Sequence, residues 1–432
     1  MTSSSQTDGT SLLTTCIAIF FESFFQPPSV IWKQAGDTIK GDAAGDRLGT
    51  FVAISGDGMT VVIGAEKSDD NGVDSGHVKI YKWDEGSSNY EPLGGTIIGD
   101  ATGDNFGHSV AISIDGKTLA IGGRFNDAYG QDSGHVKVFS LVDSSWKQCG
   151  QTIIGEAAGD RLGDYVSLSA DGKTLAVSGP INDGGLGYVK IYMRDEDSSN
   201  YEQFGRSIIG EAYSDFSGHM TLSGDGKTLA IGAPWNASNG EQPGHTRVYR
   251  IDDKGSEWKE LGQELIGENA YDYFGWSLDL STDGNTLAIS APLSGDDYVK
   301  ESGHVRIYGL DGDKLSWEPR GQHIIGLRGD RLGESVSLSA DGNTLAIGAM
   351  YNDDNGRSSG RAMVYRWDEA ALDYKQLGSY ITGEGADDEF GVSVALSSNG
   401  TTLVVGGWLN DENGEDSGHV KVYKIDNSTP LY

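Results

Sequence analysis

Three acidic segments of this chain have the composition of cation-binding loops. They are Asp69-Asp-Asn-Gly-Val-Asp74, Asp353-Asp-Asn-Gly356 and Asn410-Asp-Glu-Asn-Gly-Glu-Asp416. A hard cation such as Ca2+ takes about six to eight oxygens. The candidate metal ligands are Asp69, Asn71, Asp74, Asp353, Asn355, Asp411, Asn413 and Asp416, with backbone carbonyls completing the shell. The spacing differs from an EF-hand, whose Gly comes later in the loop, and ordinary Asn-Gly turn chemistry accounts for the same residues without a metal. Apart from Ca2+, no cofactor is indicated.

A second acidic set is periodic: Asp46, Asp104, Asp160, Asp215, Asp272, Asp330 and Asp388. Seven carboxylates in a ring could hold a cation. Alternatively each Asp caps its own loop through its short side chain, and recurrence in every copy favours that structural role. A ligand face is suggested where the copies differ. Segment 179–187 is shorter than its counterpart 65–76, leaving a notch at Asn182 and Asp183. Trp235 in the next copy and Trp408 in the last could stack a sugar or anchor a peptide there.

Signs of catalysis are sparse in the linear sequence. His77, His135, His245, His304 and His419 recur at one position that Tyr188 and Arg361 fill elsewhere, which suits packing better than proton transfer. There is no Ser-His-Asp pairing, HExxH, phosphate loop or CxxC. An enzyme should show clustered, unrepeated acid–base residues, and none stands out.

All these positions belong to a repeat. The hexamer Gly134-His-Val-Lys-Val-Phe139 recurs with starts at Gly76, Gly134, Gly187, Gly244, Gly303, Gly360 and Gly418, at spacings of 58, 53, 57, 59, 57 and 58 residues. Such a period marks one supersecondary unit copied many times. Within residues 103–155, Gly107-His-Ser-Val-Ala-Ile-Ser113 alternates, Asp115-Gly116 turns, and Thr118-Leu-Ala-Ile-Gly122 alternates again. A third strand around Val136 and Val138 and a fourth over 146–154 complete a unit. Four short antiparallel strands make a propeller blade, so the fold expected is an all-β, seven-bladed β-propeller.

Small residues place the first two strands near the axis. Lys79, Lys137, Lys190 and Lys421 put the third nearer solvent, and the fourth is the outer edge. Because the chain opens with a fourth strand and ends with a third, residues 32–40 should complete the last blade beside 419–424. The division expected is a leader over 1–30, a propeller over 31–426 and a tail over 427–432.

These residues resemble the FG-GAP repeats of integrin α-subunit propellers. Phe-Gly stands at Phe106-Gly107, Phe274-Gly275 and Phe390-Gly391, with Leu-Gly at Leu48-Gly49, Leu162-Gly163 and Leu332-Gly333. Gly-Ala-Pro is complete at Gly232-Ala233-Pro234. The resemblance implies an extracellular recognition propeller. The calcium loop often present in that family, D-x-D-x-D-G, is reduced here to turns such as Ser-Gly-Asp57-Gly58, and one carboxylate per turn is too few for calcium.

Composition narrows the partners. Asp and Glu number 64 against 32 Lys and Arg, a net charge of −32, which repels nucleic acid and anionic membrane surfaces. Cys16 and Cys149 form no disulfide framework. Residues 12–25 are apolar but too short to span a membrane, and residues 1–11 lack the basic charge of an export signal, so the leader reads either as a signal or as a disordered segment. The expectation is a non-catalytic, monomeric recognition module, extracellular or at the cell surface (alternatively cytoplasmic). It would bind protein or glycan partners through its acidic loop face, without nucleic acid and without membrane insertion. The alternative is a hydrolase or lyase with its site on that face or in the axial channel.

Overall fold

The computed structural model describes residues 31–426 except 182–184, 196, 212–218, 238–239, 253–254, 256 and 296–300. The Leu12 to Phe25 leader, the C-terminal tail, Asp215, Asn182 and Asp183 lie outside the described residues. Every regular element described is a β-strand, and the strands form seven antiparallel sheets. The second sheet is representative. Phe106–Ile112, Thr118–Gly123, His135–Val142 and Ser145–Gln148 lie side by side in chain order from the axis outward.

Each Ser-x-Asp-Gly element builds the turn between the first two strands. In the first blade Asp57 Oδ1 accepts from the Ser55 hydroxyl at 2.5 Å and from the Met59 N–H at 2.9 Å. Gly58 adopts φ +74°, which a side chain would disfavour. The carboxylate is thus spent on its own turn. These turns also link blade to blade: the Gly56 N–H donates to Ile114, Ile114 to Ala170, Ala170 to Gly224, Asp225 to Thr282, Thr282 to Ala340, Ala340 to Ser398 and Ser398 back to Gly56. This closed backbone belt draws one end of the axial channel together.

The glycine motifs serve blade-to-blade packing. A Cβ on Gly64 of the first blade would lie 2.0 Å from the carbonyl oxygen of Gly107 in the second, and one on Gly348 would lie 1.9 Å from that of Gly391. The Gly-Ala and Phe-Gly elements are therefore the two sides of one backbone-to-backbone contact. Blades close enough to exclude a methyl group bury the second strands completely, including Thr60–Ala65 and Thr344–Ala349.

The lysines of the third strand are not nearer solvent. Lys79, Lys190 and Lys421 are buried, with stems between blades and ammonium groups paired to Asp42, Glu156 and Glu384. Pairing allows the burial, since a charged tip with a partner can leave water while its stem packs. In the sixth copy both members change together, to Leu327 and Met363.

The fourth strand is also not continuous. It divides into Ser145–Gln148 and Ile153–Ile154, both paired with His135–Val142, and Gly150 with φ +73° lies in the break. Closure is as the sequence predicts. Trp32–Gln34 and Ile39–Lys40 both pair with His419–Ile425, with Trp32 opposite Ile425 and Ile39 opposite Val420. The Trp32 indole donates to the Leu377 carbonyl of the sixth blade at 3.0 Å, fastening the seam.

Candidate active site

Seven inner strands enclose an axial cavity of about 640 Å3. Its floor is apolar, ringed by Ile54, Ile112, Leu168, Leu222, Leu338 and Leu396. The opposite end is lined by Arg47, Glu66, His108, Arg124, Tyr165, His219, Trp276, Glu334 and Trp408. The residue directly after Phe-Gly or Leu-Gly differs in every copy: Thr50, His108, Asp164, Trp276, Glu334 and Val392. The inner-strand geometry turns Thr50, His108, Trp276, Glu334 and Val392 toward one space, and Asp164 is bonded to Arg124 of its wall.

On one side of the cavity lies a charged network. His108 Nδ1 is 2.7 Å from Glu66 Oε2, and His108 Nε2 is 3.1 Å from Arg124 Nη1. Arg124 also donates to Asp164 Oδ1 at 3.2 Å. Burial works against ionisation of Glu66, but the His108 hydrogen bond and the Arg124 charge prevail and hold its carboxyl down to about 2. A carboxylate bonded to one imidazole nitrogen orients the ring for proton transfer at the other. Next to this network, the Tyr165 hydroxyl and His219 Nε2 are hydrogen-bonded at 2.8 Å, with ring centroids 4.3 Å apart. Burial, with the His108 charge, lowers His219 to about 3, so the ring is neutral at physiological pH.

Across the cavity, the Trp276 indole donates to Glu334 Oε1 at 3.1 Å, the one side-chain hydrogen bond Glu334 makes among the described residues. Burial pushes the Glu334 carboxyl up to about 7, against the Trp276 bond and the Arg331 charge. It therefore exchanges a proton near neutrality, which suits a general acid or base. Asp279 is raised by burial to about 6, but it accepts from the Leu338 N–H at 2.6 Å and the Leu280 N–H at 2.9 Å. Ser167 and Ser337 satisfy inner-strand N–H groups in the same way, so Asp279 is a structural variant of that role.

The residues singled out from sequence are placed differently. The eight candidate metal ligands do not converge. Asp69, Asp353 and Asp411 each accept from the backbone N–H five residues on, at 2.8 Å. Asn71, Asn355 and Asn413 donate to the carbonyls of Gly99, Gly383 and Gly41, tying each loop to the next blade's entry segment. Asp74 pairs with Lys67, while the Asp416 N–H is the donor to Asp411. Among the described residues the one group with metal-like spacing is Asp100, Asp104 and His135, and Lys137 already holds Asp100.

The Asp ring caps its own loops. Asp46, Asp104, Asp160, Asp272, Asp330 and Asp388 accept from N–H groups of the preceding residues, as at Ala43 and Ala157, both 2.9 Å. Burial raises Asp46, Asp104 and Asp272 above the ordinary Asp range. Of the aromatic candidates, Trp408 reaches the cavity and donates to Glu389 at 2.6 Å. Trp235 stands beside Trp276, with ring centroids 5.6 Å apart.

Four segments match the FG-GAP repeat family: residues 36–81, 99–139, 326–365 and 383–423. The copies between them, which supply Asp164, Tyr165, His219 and Trp276, are the divergent ones. No curated protein matches the sequence. Solved structures similar in fold include hydrazine synthase of Kuenenia stuttgartiensis, at TM-score 0.52 and 15% identity over 86% of this chain and 93% of that one. A putative 6-phosphogluconolactonase of Bacteroides uniformis matches at 0.52 and 15%, over 78% and 85%. The periplasmic gluconolactonase of Pseudomonas aeruginosa matches at 0.50 and 16%, over 78% and 86%.

The expectation of a non-catalytic recognition module is corrected. The feature required of an enzyme was a cluster of unrepeated acid–base residues, and the cavity contains one. The three fold neighbours named above are two lactonases and a synthase. The sequence reading missed the site because it sought irregularity in the loops. The variable position lies inside a conserved-looking strand motif, one residue past its glycine.

Proposed function

Because the chain is a closed propeller of FG-GAP repeats with unlike titratable residues around its axis, we propose that it is a hydrolase acting on an ester or lactone in the axial cavity. The observation that carries this reading is the convergence of His108, Trp276 and Glu334, equivalent residues of different copies, on one cavity with an apolar floor, with their equivalent Asp164 bonded to Arg124 of its wall. Two fold neighbours named as lactonases make ring opening the first chemistry to try.

In this reading Glu334, as carboxylate, takes a proton from water while the water oxygen bonds to the acyl carbon. The tetrahedral oxyanion faces the donors of the opposite wall, Arg124 and the Tyr165 hydroxyl, which accepts from the His219 Nε2–H and so keeps its own proton to donate. The acyl–oxygen bond then breaks, and the departing alkoxide receives the proton that Glu334 took. His108, oriented by Glu66, keeps the Arg124 fork in place. The test is proton release from a panel of five- and six-membered lactones and aryl esters, comparing the native protein with Glu334→Gln. Turnover reduced roughly 100-fold or more in the variant is expected. No turnover of any member, or equal turnover by the variant, overturns the proposal.

A further inference from the structure

Resting on the hydrolase reading, we infer that the substrate is an anion, held through a carboxylate or phosphate group by an arginine arc along blades one to three, with its ester facing Glu334. The starting observation is a reversal of charge. The chain has twice as many acidic as basic residues, yet Arg47 and Arg124 line one side of the cavity mouth, with Arg161 on the Phe125 ring beside Arg124.

Three features point to an anion there. Arg47 and Arg161 form no ion pair among the described residues, in a protein with 64 carboxylates available. Each lies over an aromatic ring instead, Arg47 5.1 Å from the Trp408 centroid and Arg161 5.0 Å from that of Phe125. Arg124 shares the Phe125 ring at 4.7 Å, so two guanidiniums are held around one phenylalanine. Arg124 has Glu66 and Asp164 as counter-ions, so the charges left for a bound anion to balance are those of Arg47 and Arg161. Glu389, the carboxylate whose charge reaches Arg47, is engaged by the Trp408 indole.

Backbone geometry supports the same function. Arg47 and Arg161 occupy equivalent positions before Leu-Gly at φ +55° and +52°, a region that side chains enter at a cost. The costly backbone recurs in the other described copies, where the side chain is Asn105, Tyr273, Arg331 or Glu389, so the conformation belongs to the repeat and the arginine does not. The repeat thus supplies a fixed perch at the mouth; Arg331 of blade six is paired with Glu301, whereas blades one and three equip the perch with a planar cation that has no ion pair among the described residues and suits a two-oxygen anion. Opposite, at blades five and six, the cavity presents Trp276 and Glu334. A ligand anchored by its anion on the arginine side must place its other end toward Glu334.

The experiment is calorimetric binding of gluconate, 6-phosphogluconate and, as a neutral control, glucose to the full chain, repeated with the Arg47→Gln/Arg161→Gln double variant. Melting temperature without ligand controls for folding. The expected result is that an anion binds, glucose does not, and the double variant binds at least about tenfold more weakly at an unchanged melting temperature. Stronger binding of 6-phosphogluconate than gluconate assigns the arc to phosphate, and the reverse order assigns it to carboxylate. Binding of neither anion, or equal binding by the double variant, overturns the inference. Lactone turnover with equal kcat/KM for neutral lactones and for those carrying a carboxylate or a phosphate also overturns it while leaving the hydrolase reading intact. Anion binding through Arg47 and Arg161 without turnover of any ester keeps the arc and removes the hydrolase.

Discussion

Trp276 donates its indole N–H to Glu334 at 3.1 Å, and the two residues hold the same position in consecutive repeats, each directly after a glycine of the Phe-Gly or Leu-Gly element. Tyr165 and His219 are likewise equivalents in consecutive blades and are bonded at 2.8 Å. Polar pairs here form between copies of one position in neighbouring blades.

Glu334 should impose a pH signature on stability. Its folded carboxyl titrates near 7, above the ordinary Glu value of 4.5. The folded protein therefore binds the proton more tightly than the unfolded chain. This stabilisation is complete below about 4.5 and is lost as pH rises through 7. Melting curves of Glu334→Gln and native protein should be closest at acid pH, with the variant gaining in relative stability by pH 8. A constant difference across this range would contradict the assignment.

Glu66 has the opposite sign. Its carboxyl is held down to about 2, so its contribution is present above the unfolded Glu value and is lost as pH falls toward 2. Glu66→Gln should flatten the acid limb of the stability profile. It should also lower turnover by about tenfold or more, because His108 loses the partner that fixes its ring. Unchanged kinetics would remove His108 from the mechanism.

Blade-to-blade contact predicts a steric lesion far from the mouth. Gly348→Ala puts a Cβ 1.9 Å from the Gly391 carbonyl oxygen, and backbone must move to admit it. We expect a loss of about 2–3 kcal/mol in chemical denaturation. Gly45→Ala, where a Cβ would meet nothing within 4 Å but φ is +85°, should cost about 1 kcal/mol from backbone conformation alone.

Closure rests on the N-terminal strand. Trp32 is 8% exposed, packs with Val364, Ile381 and Val394, and bonds the sixth blade. Trp32→Ala should cost about 3–5 kcal/mol, read as a lower denaturation midpoint. Deleting 31–41 should leave the third strand of the last blade as an open edge and lower the melting temperature sharply. An unchanged midpoint in both variants would mean that the ring closes elsewhere.

How much could be read in advance follows from what repetition preserves. The hexamer starts from Gly76 to Gly418 determined the blade number. Strand alternation and Asp-Gly turns determined the order from axis to rim, and the surplus fourth strand at Trp32 determined how the ring closes. Each depends on local chemistry or on a count, and both survive in one dimension. The site did not. His108, Asp164, Trp276 and Glu334 are dozens of residues apart, and each looks like a chance substitution in its own copy. Their identities were legible, as was the divergence of the middle repeats. Their convergence was not, because only ring closure turns seven equivalent positions toward one axis. Tertiary structure also decided the titrations: Glu334 is an ordinary glutamate by sequence, and desolvation within the cavity moves its proton affinity to neutrality.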